Sequence, residues 1–166
     1  IKNMKTFLIL LTVLFLSNST MAFENQLTAF CKRPVSNEVF VCGDFNTLLV
    51  IDINTGESIR TFNIGESLMD IQFSADGKTL LAKNLKEIFF INPDTGEIIK
   101  RMKISTPRIY PNSPYFADGD WYFKNTVSVY STTDGSEVFK YDPGFNIRSI
   151  GFNTDFTELI VISSKI

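Results

Sequence analysis

The sequence predicts an all-β chain built as a β-propeller of four-stranded antiparallel blades, about three and a half of them, preceded by a signal peptide. Three observations predict it. Two different turn texts each recur at a spacing near forty residues. Four short apolar or alternating runs separate those turns within each period. Beyond residue 22, no stretch of ~12 residues keeps a helical period. Four strands per ~40 residues is the signature of a propeller blade. A plain β-sandwich predicts turns but no repeated turn text.

The chain opens on a segment to be set apart from the fold. It begins with Ile1, and Met4 is the first candidate start. Lys5 gives a short cationic region, and Phe7–Leu16 (FLILLTVLFL) is an apolar core. Ser17–Thr20 then ends that run, and Thr20 and Ala22 place small residues three and one before a cut after Ala22. Ten apolar residues fall short of the ~20 that span a bilayer. Residues 1–22 are therefore expected to be a signal peptide, residues 23–166 the mature chain without a stable membrane span, and the location periplasmic or secreted.

The repeat orders the mature chain. One turn text reads Ile51–Ile59 (IDINTGESI), Ile91–Ile99 (INPDTGEII) and Tyr130–Val138 (YSTTDGSEV), with Gly56, Gly96 and Gly135 spaced 40 and 39 apart. The other reads Ser74–Lys78 (SADGK), Ala117–Asp120 (ADGD) and Asn153–Thr157 (NTDFT), with Asp76, Asp118 and Asp155 spaced 42 and 37 apart. Blade one is expected over 27–62, blade two over 67–103, blade three over 113–140, and an incomplete fourth over 146–166. In blade two the strands are expected at 68–73, 79–82, 87–91 and 97–102, rich in Ile, Phe and Thr and bounded by turn residues. Asp76-Gly77 is a hairpin signal. Runs such as Leu48–Ile51 and Ile88–Ile91 lack alternation, as expected of strands packed on both faces.

The text Ser74–Leu81 (SADGKTLL) followed by Phe89–Ile99 (FFINPDTGEII) resembles the bacterial YVTN-type repeat, a relative of the WD-repeat propellers. The resemblance covers roughly residues 27–162 and implies architecture more than activity. The chain departs from true WD repeats: it has no Gly-His, and its single Trp, Trp121, precedes Tyr122 rather than Asp. Proteins resembling this repeat include lactonase-like hydrolases and quinoprotein-dehydrogenase-like subunits, so the first part of an exported propeller enzyme is one alternative. A structural cell-surface repeat protein is another. The text reads as a fragment of a longer propeller. Further blades or a second chain are needed to close the ring, because an open array exposes a strand edge and an apolar blade face.

Chemistry is sparse. There is no histidine, which excludes a Ser-His-Asp or Cys-His centre and any His-ligated metal site from this chain alone. No phosphate-binding loop or EF-hand occurs, so no metal or cofactor is expected. Sixteen Lys and Arg against eighteen Asp and Glu leave a net charge of -2, with no basic field for nucleic acid. Asp76, Asp94, Asp118 and Asp134 are expected as turn formers rather than catalysts. Cys31 and Cys42 are the only cysteines. An offset of 40 aligns them with Ile71 and Ala82, which face each other if Phe73 faces Leu80, so a disulfide is expected between them.

The repeated turns open on one rim, and the variable connections lie on the other: 43–47, 63–67, 83–86, 104–113, 124–126 and 141–145. Loops that vary on a rigid scaffold commonly carry binding. The connection 104–113 departs most from the repeat, and Arg108, Tyr110, Tyr115 and Trp121 in or near it are the candidate binding residues, of types favoured as interface anchors. The reading that follows is a non-catalytic scaffold binding a protein or small molecule through its loops.

Overall fold

The structure is a computed structural model that describes residues 27–43, 46–104, 107–119 and 125–163. Among these residues there are fourteen strands and no helix. Blade one holds β1 (Leu27–Lys32), β2 (Glu38–Gly43), β3 (Thr47–Asp52) and β4 (Ser58–Asn63), paired in that order. Blade two holds β5 (Asp70–Phe73), β6 (Leu80–Lys83), β7 (Glu87–Ile91) and β8 (Ile98–Lys103). Blade three holds β9 (Pro107–Ile109), β10 (Tyr115–Gly119), β11 (Val127–Ser131) and β12 (Glu137–Tyr141). The pair β13 (Ile147–Phe152) and β14 (Leu159–Ser163) follows. Every pairing is antiparallel.

The turn text forms one polar device three times. Asp52 Oδ1 accepts the Asn54 and Thr55 amides, and Asn92 Oδ1 accepts those of Asp94 and Thr95. Ser131 Oγ accepts the Thr133 amide in the third copy. The glycine then donates its amide back to the first residue's carbonyl: Gly56 to Asp52, Gly96 to Asn92 and Gly135 to Ser131, at 2.8, 2.8 and 3.0 Å. All three glycines have φ between 67° and 77°, where a side chain is disfavoured.

The continuous apolar runs are explained by burial on both faces. In β7, Phe89 and Ile91 pack, beside Phe73 of their own sheet, toward Phe40, Cys42, Leu48 and Val50 of blade one. Ile88 and Phe90 pack the other way, with Phe116 and Tyr130 of blade three. A third core, around Ala117, Val127, Val129, Ile147 and Ile150, joins blade three to β13–β14. Phe40, Phe89 and Phe116 are fully buried, and each such ring removes ~1.5–3 kcal/mol worth of apolar surface from water.

Blades also dock through the repeated glycine. A Cβ on Gly96 would overlap the ring of Phe62 on β4. A Cβ on Gly135 would come within 2.5 Å of Met102 Sδ and 2.7 Å of Phe90 Cζ. Phe62 pairs with Leu48 and Met102 with Ile88, so the two knobs hold the same place in successive blades. Lys100 Nζ adds hydrogen bonds to the carbonyls of Asp134 (2.6 Å) and Gly135 (3.3 Å).

Blade three departs from expectation at its start. Its first strand is Pro107–Ile109, inside the stretch expected to be a loop, so the blade begins at 107 rather than 113. Proline is tolerated at the first residue of an edge strand because its missing N–H is not called on there. The first three residues of the ADGD text form strand rather than turn: Ala117, Asp118 and Gly119 pair in β10 with Val129, Ser128 and Val127. The turn is instead Tyr110–Ser113, closed by the Ser113 amide on the Tyr110 carbonyl at 3.3 Å. Pro111 and Asn112 (φ 52°) supply the proline and left-handed positions that a type II turn favours.

Gly65 has φ +73° with nothing within 4 Å of a built Cβ, so it separates backbone strain from the docking overlap. Gly65→Ala should cost the left-handed penalty alone, ~1–2 kcal/mol. Gly96→Ala should cost that plus ~1–3 kcal/mol of overpacking against Phe62. Thermal melts of the two variants check this; equal losses would contradict the docking role of Gly96.

Candidate functional site

The β4–β5 and β6–β7 connections lie on one rim, since residues of both line the same groove. On that rim the β4–β5 and β6–β7 connections border a groove of about 480 Å³. Glu66, Ser67 and Met69 line one side; Asn84, Leu85, Lys86 and Glu87 line the other, with Arg101 of β8 at the edge.

The local chemistry shapes each wall. Asn84 Oδ1 accepts the Lys86 and Glu87 amides at 2.8 and 2.9 Å, folding a tight turn that pushes Leu85 outward. Leu85 is 79% exposed and Met69 47%. Arg101 donates to Glu66 Oε1 at 2.8 Å and lies 3.5 Å from Glu87 Oε2, with its guanidinium 5.0 Å from the centre of the Phe89 ring. The hydrogen bond to Glu66 raises the Arg101 pKa further. The result is an apolar pair beside a fixed cation with two carboxylates. That arrangement suits a peptide or protein surface better than a reacting small molecule.

Among the described residues, no group of three or more His, Cys, Asp or Glu is placed to hold a metal ion. The aspartates expected as turn formers divide. Asp76 accepts Ser74 Oγ (2.7 Å) and the Lys78 amide (3.1 Å), and the Ser74 bond first of all depresses its pKa. Asp134 accepts the Ser136 amide, with the same direction of shift. Asp94, however, bridges blades: it takes a two-pronged bond from Arg33 of blade one at 2.7 and 3.3 Å, which depresses its pKa. Asp118 lies within β10.

Of the four residues expected to form a binding cluster, Tyr110 and Tyr115 pack on the same ring, Phe152. Arg108 sits in β9 and is exposed. Tyr110 packs edge-on to Phe152 at 5.4 Å and donates its hydroxyl to the Ile150 carbonyl at 3.2 Å, so it ties blade three to β13; burial raises its pKa. Tyr115 lies in β10, tilted over Phe152 at 6.1 Å. Trp121 lies outside the described residues, as do Ala22 and the rest of the leader. Sequence reasoning missed Leu85, Met69 and Arg101. The one signal for them was an apolar residue set between Asn84 and Lys86 in an otherwise polar connection.

The facing of the two cysteines does not hold. Cys31 pairs with Phe40, and Cys42 with Ala29, which leaves the thiols diagonal to each other. Diagonal neighbours stand ~7–8 Å apart, beyond ordinary disulfide reach. Both are free and buried. Cys42 Sγ sits 3.5 Å from Thr28 Oγ1 and 3.8 Å from the Leu68 carbonyl. Burial raises both thiol pKa values, most of all that of Cys31.

No protein-family model matches the chain, and no curated protein matches it. Solved structures do. The structure of U3-55K superposes with a TM-score of 0.57 at 11% identity, over 78% of this chain and 43% of that one. The RRP9 WD40 repeats superpose with a TM-score of 0.57 at 10% identity, again over 78% and 43%. At such identity the likeness is one of fold. The chain is a WD-repeat-like array of propeller blades, and it spans less than half the length of these structures.

The thiols provide a check on the register. The folded protein should react slowly with a maleimide at pH 8, because raised pKa values leave little thiolate. In denaturant without reductant, both cysteines should label at once. Labelling only after reduction would contradict the diagonal placement.

Proposed function

We propose that this chain is an interaction scaffold of the YVTN repeat type, exported to the periplasm or beyond, that binds a protein partner through its connection rim without chemistry of its own. The WD40 neighbours support a propeller scaffold. The observation that carries the rim assignment is Leu85, 79% exposed beside the Glu66–Arg101–Glu87 cluster. An apolar anchor ringed by charged groups is the common anatomy of an interface centre and its rim. Of the four residues the sequence pointed to for binding, Tyr110 and Tyr115 are engaged in blade packing, which favours the groove as the contact surface. Export rests on the leader text, with Phe23 as the first mature residue.

A photo-crosslinking residue at position 85, tested against proteins of the source cell envelope and medium, should give a discrete adduct. The same probe at Thr133, on the opposite rim, should not. Arg101→Glu should reduce the adduct about tenfold, the loss expected for one interface anchor. Equal adducts from both rims would overturn the rim assignment. A mature chain whose mass begins before Phe23 would overturn the leader reading.

A further inference from the structure

We propose that the groove between Met69 and Leu85 takes a short acidic segment of a partner protein, one apolar side chain set among carboxylates. The proposal rests on the rim reading above and adds the chemistry of the occupant. The Met69 amide donates to the Lys83 carbonyl at 2.8 Å, which fixes the two connections side by side. Met69 and Leu85 then stand on opposite walls, 47% and 79% exposed. An apolar side chain laid between them takes both out of water, which is favourable. The groove, about 480 Å³, falls within the ~300–1,000 Å³ of ordinary ligand sites.

The charges around the groove decide the sign of the flanking groups. Its carboxylates are already engaged. Arg101 lies 2.8 Å from Glu66 Oε1 and 3.5 Å from Glu87 Oε2, and Lys83 lies 3.6 Å from Asp70 Oδ2. Two exposed lysines remain, Lys86 and Lys103, and neither belongs to an ion pair among the described residues. Lys86 follows Leu85 in the turn that Asn84 folds. Lys103 stands opposite Glu87 and shares a face of β8 with Arg101, because alternate strand residues do. Of these seven groups, four cations less three carboxylates leave +1, on a chain whose net charge is -2. A carboxylate beside either lysine gains a partner without breaking the Arg101 bonds. A basic segment would compete with Arg101 for Glu66 and Glu87 and would meet both lysines as like charges.

The test titrates the full chain with synthetic heptapeptides that share a central Leu. Flanks of Asp and Glu, of Ser, or of Lys and Arg set the charge. Binding is read from the NMR signals of the Met69 methyl group and the Leu85 amide. The acidic peptide should bind about tenfold tighter than the other two, and added salt should weaken it. Replacing its Leu by Ala should weaken it about tenfold. Lys86→Glu combined with Lys103→Glu should reverse the order in favour of the basic peptide. Lys86→Gln alone, which removes one rim charge, should weaken the acidic peptide about twofold to fivefold. Equal affinities, or an order that the charge-reversed chain keeps, would overturn the proposal. So would shifts confined to residues outside the groove, or no saturable shift with any peptide. The crosslink from position 85 reports the rim reading separately: a discrete adduct there beside equal peptide affinities would overturn the acidic assignment alone.

Discussion

Blades one and two each dock on a neighbour that has no side chain at one position. Phe62 and Met102 project from the fourth strands of blades one and two into the space where Gly96 and Gly135 would carry a Cβ. The glycines serve two demands together: a left-handed backbone that closes the turn, and a vacancy that admits a neighbour's knob. This double duty explains why the turn text is the most regular part of the repeat. It also sets the spacing of the array, because a knob and its socket must stay in step between adjacent blades. The stability of such an array is close to a sum of blade terms and nearest-neighbour interface terms.

Polar links reinforce the same step without setting it. Arg33 reaches from blade one to Glu38 in its own sheet and to Asp94 and the Gly77 carbonyl of blade two. Thr79 Oγ1 and Lys83 Nζ reach from blade two to the Thr133 and Pro107 carbonyls of blade three. Most of these groups are part-exposed, where an ion pair is worth ~0–1 kcal/mol. The buried aromatic and aliphatic contacts dominate; they include the edge-on pair Phe40–Phe73 at 5.0 Å.

How far the sequence could be read follows from this arrangement. Blade two was legible to within one or two residues, and its register Ile71↔Ala82 and Phe73↔Leu80 is as its hairpin text predicts. The cysteine pairing failed on a single inserted residue. The pair Ala29↔Cys42 matches Asp70↔Lys83 at an offset of 41, whereas Thr47↔Asn63 matches Glu87↔Lys103 at 40. Blade one therefore has one more residue between β2 and β3, and the offset taken from the glycines does not reach its first two strands. A one-residue slip reverses which side chains share a face. Blade three misled for another reason. Its Asp118-Gly119 copies a turn text but sits where cross-strand pairing decides, and its real turn uses Pro111-Asn112. The site was the least legible part. Aromatic residues that resemble binding anchors are the same types that fill the gaps between blades, and Tyr110 does the latter.

The account rests on the knob and its glycine acting as one unit, and a double-mutant cycle between Phe62 and Gly96 tests this most directly. Phe62→Ala empties the space that a new Cβ at 96 needs. Adding Gly96→Ala to that background should then cost only the left-handed backbone term, ~1–2 kcal/mol. The coupling energy should fall within the 0.5–3 kcal/mol range seen for residues in contact, with the double variant more stable than the sum of the single losses predicts. Additive losses, measured by denaturant unfolding with an unchanged slope, would show that the knob and glycine are independent and would contradict the account.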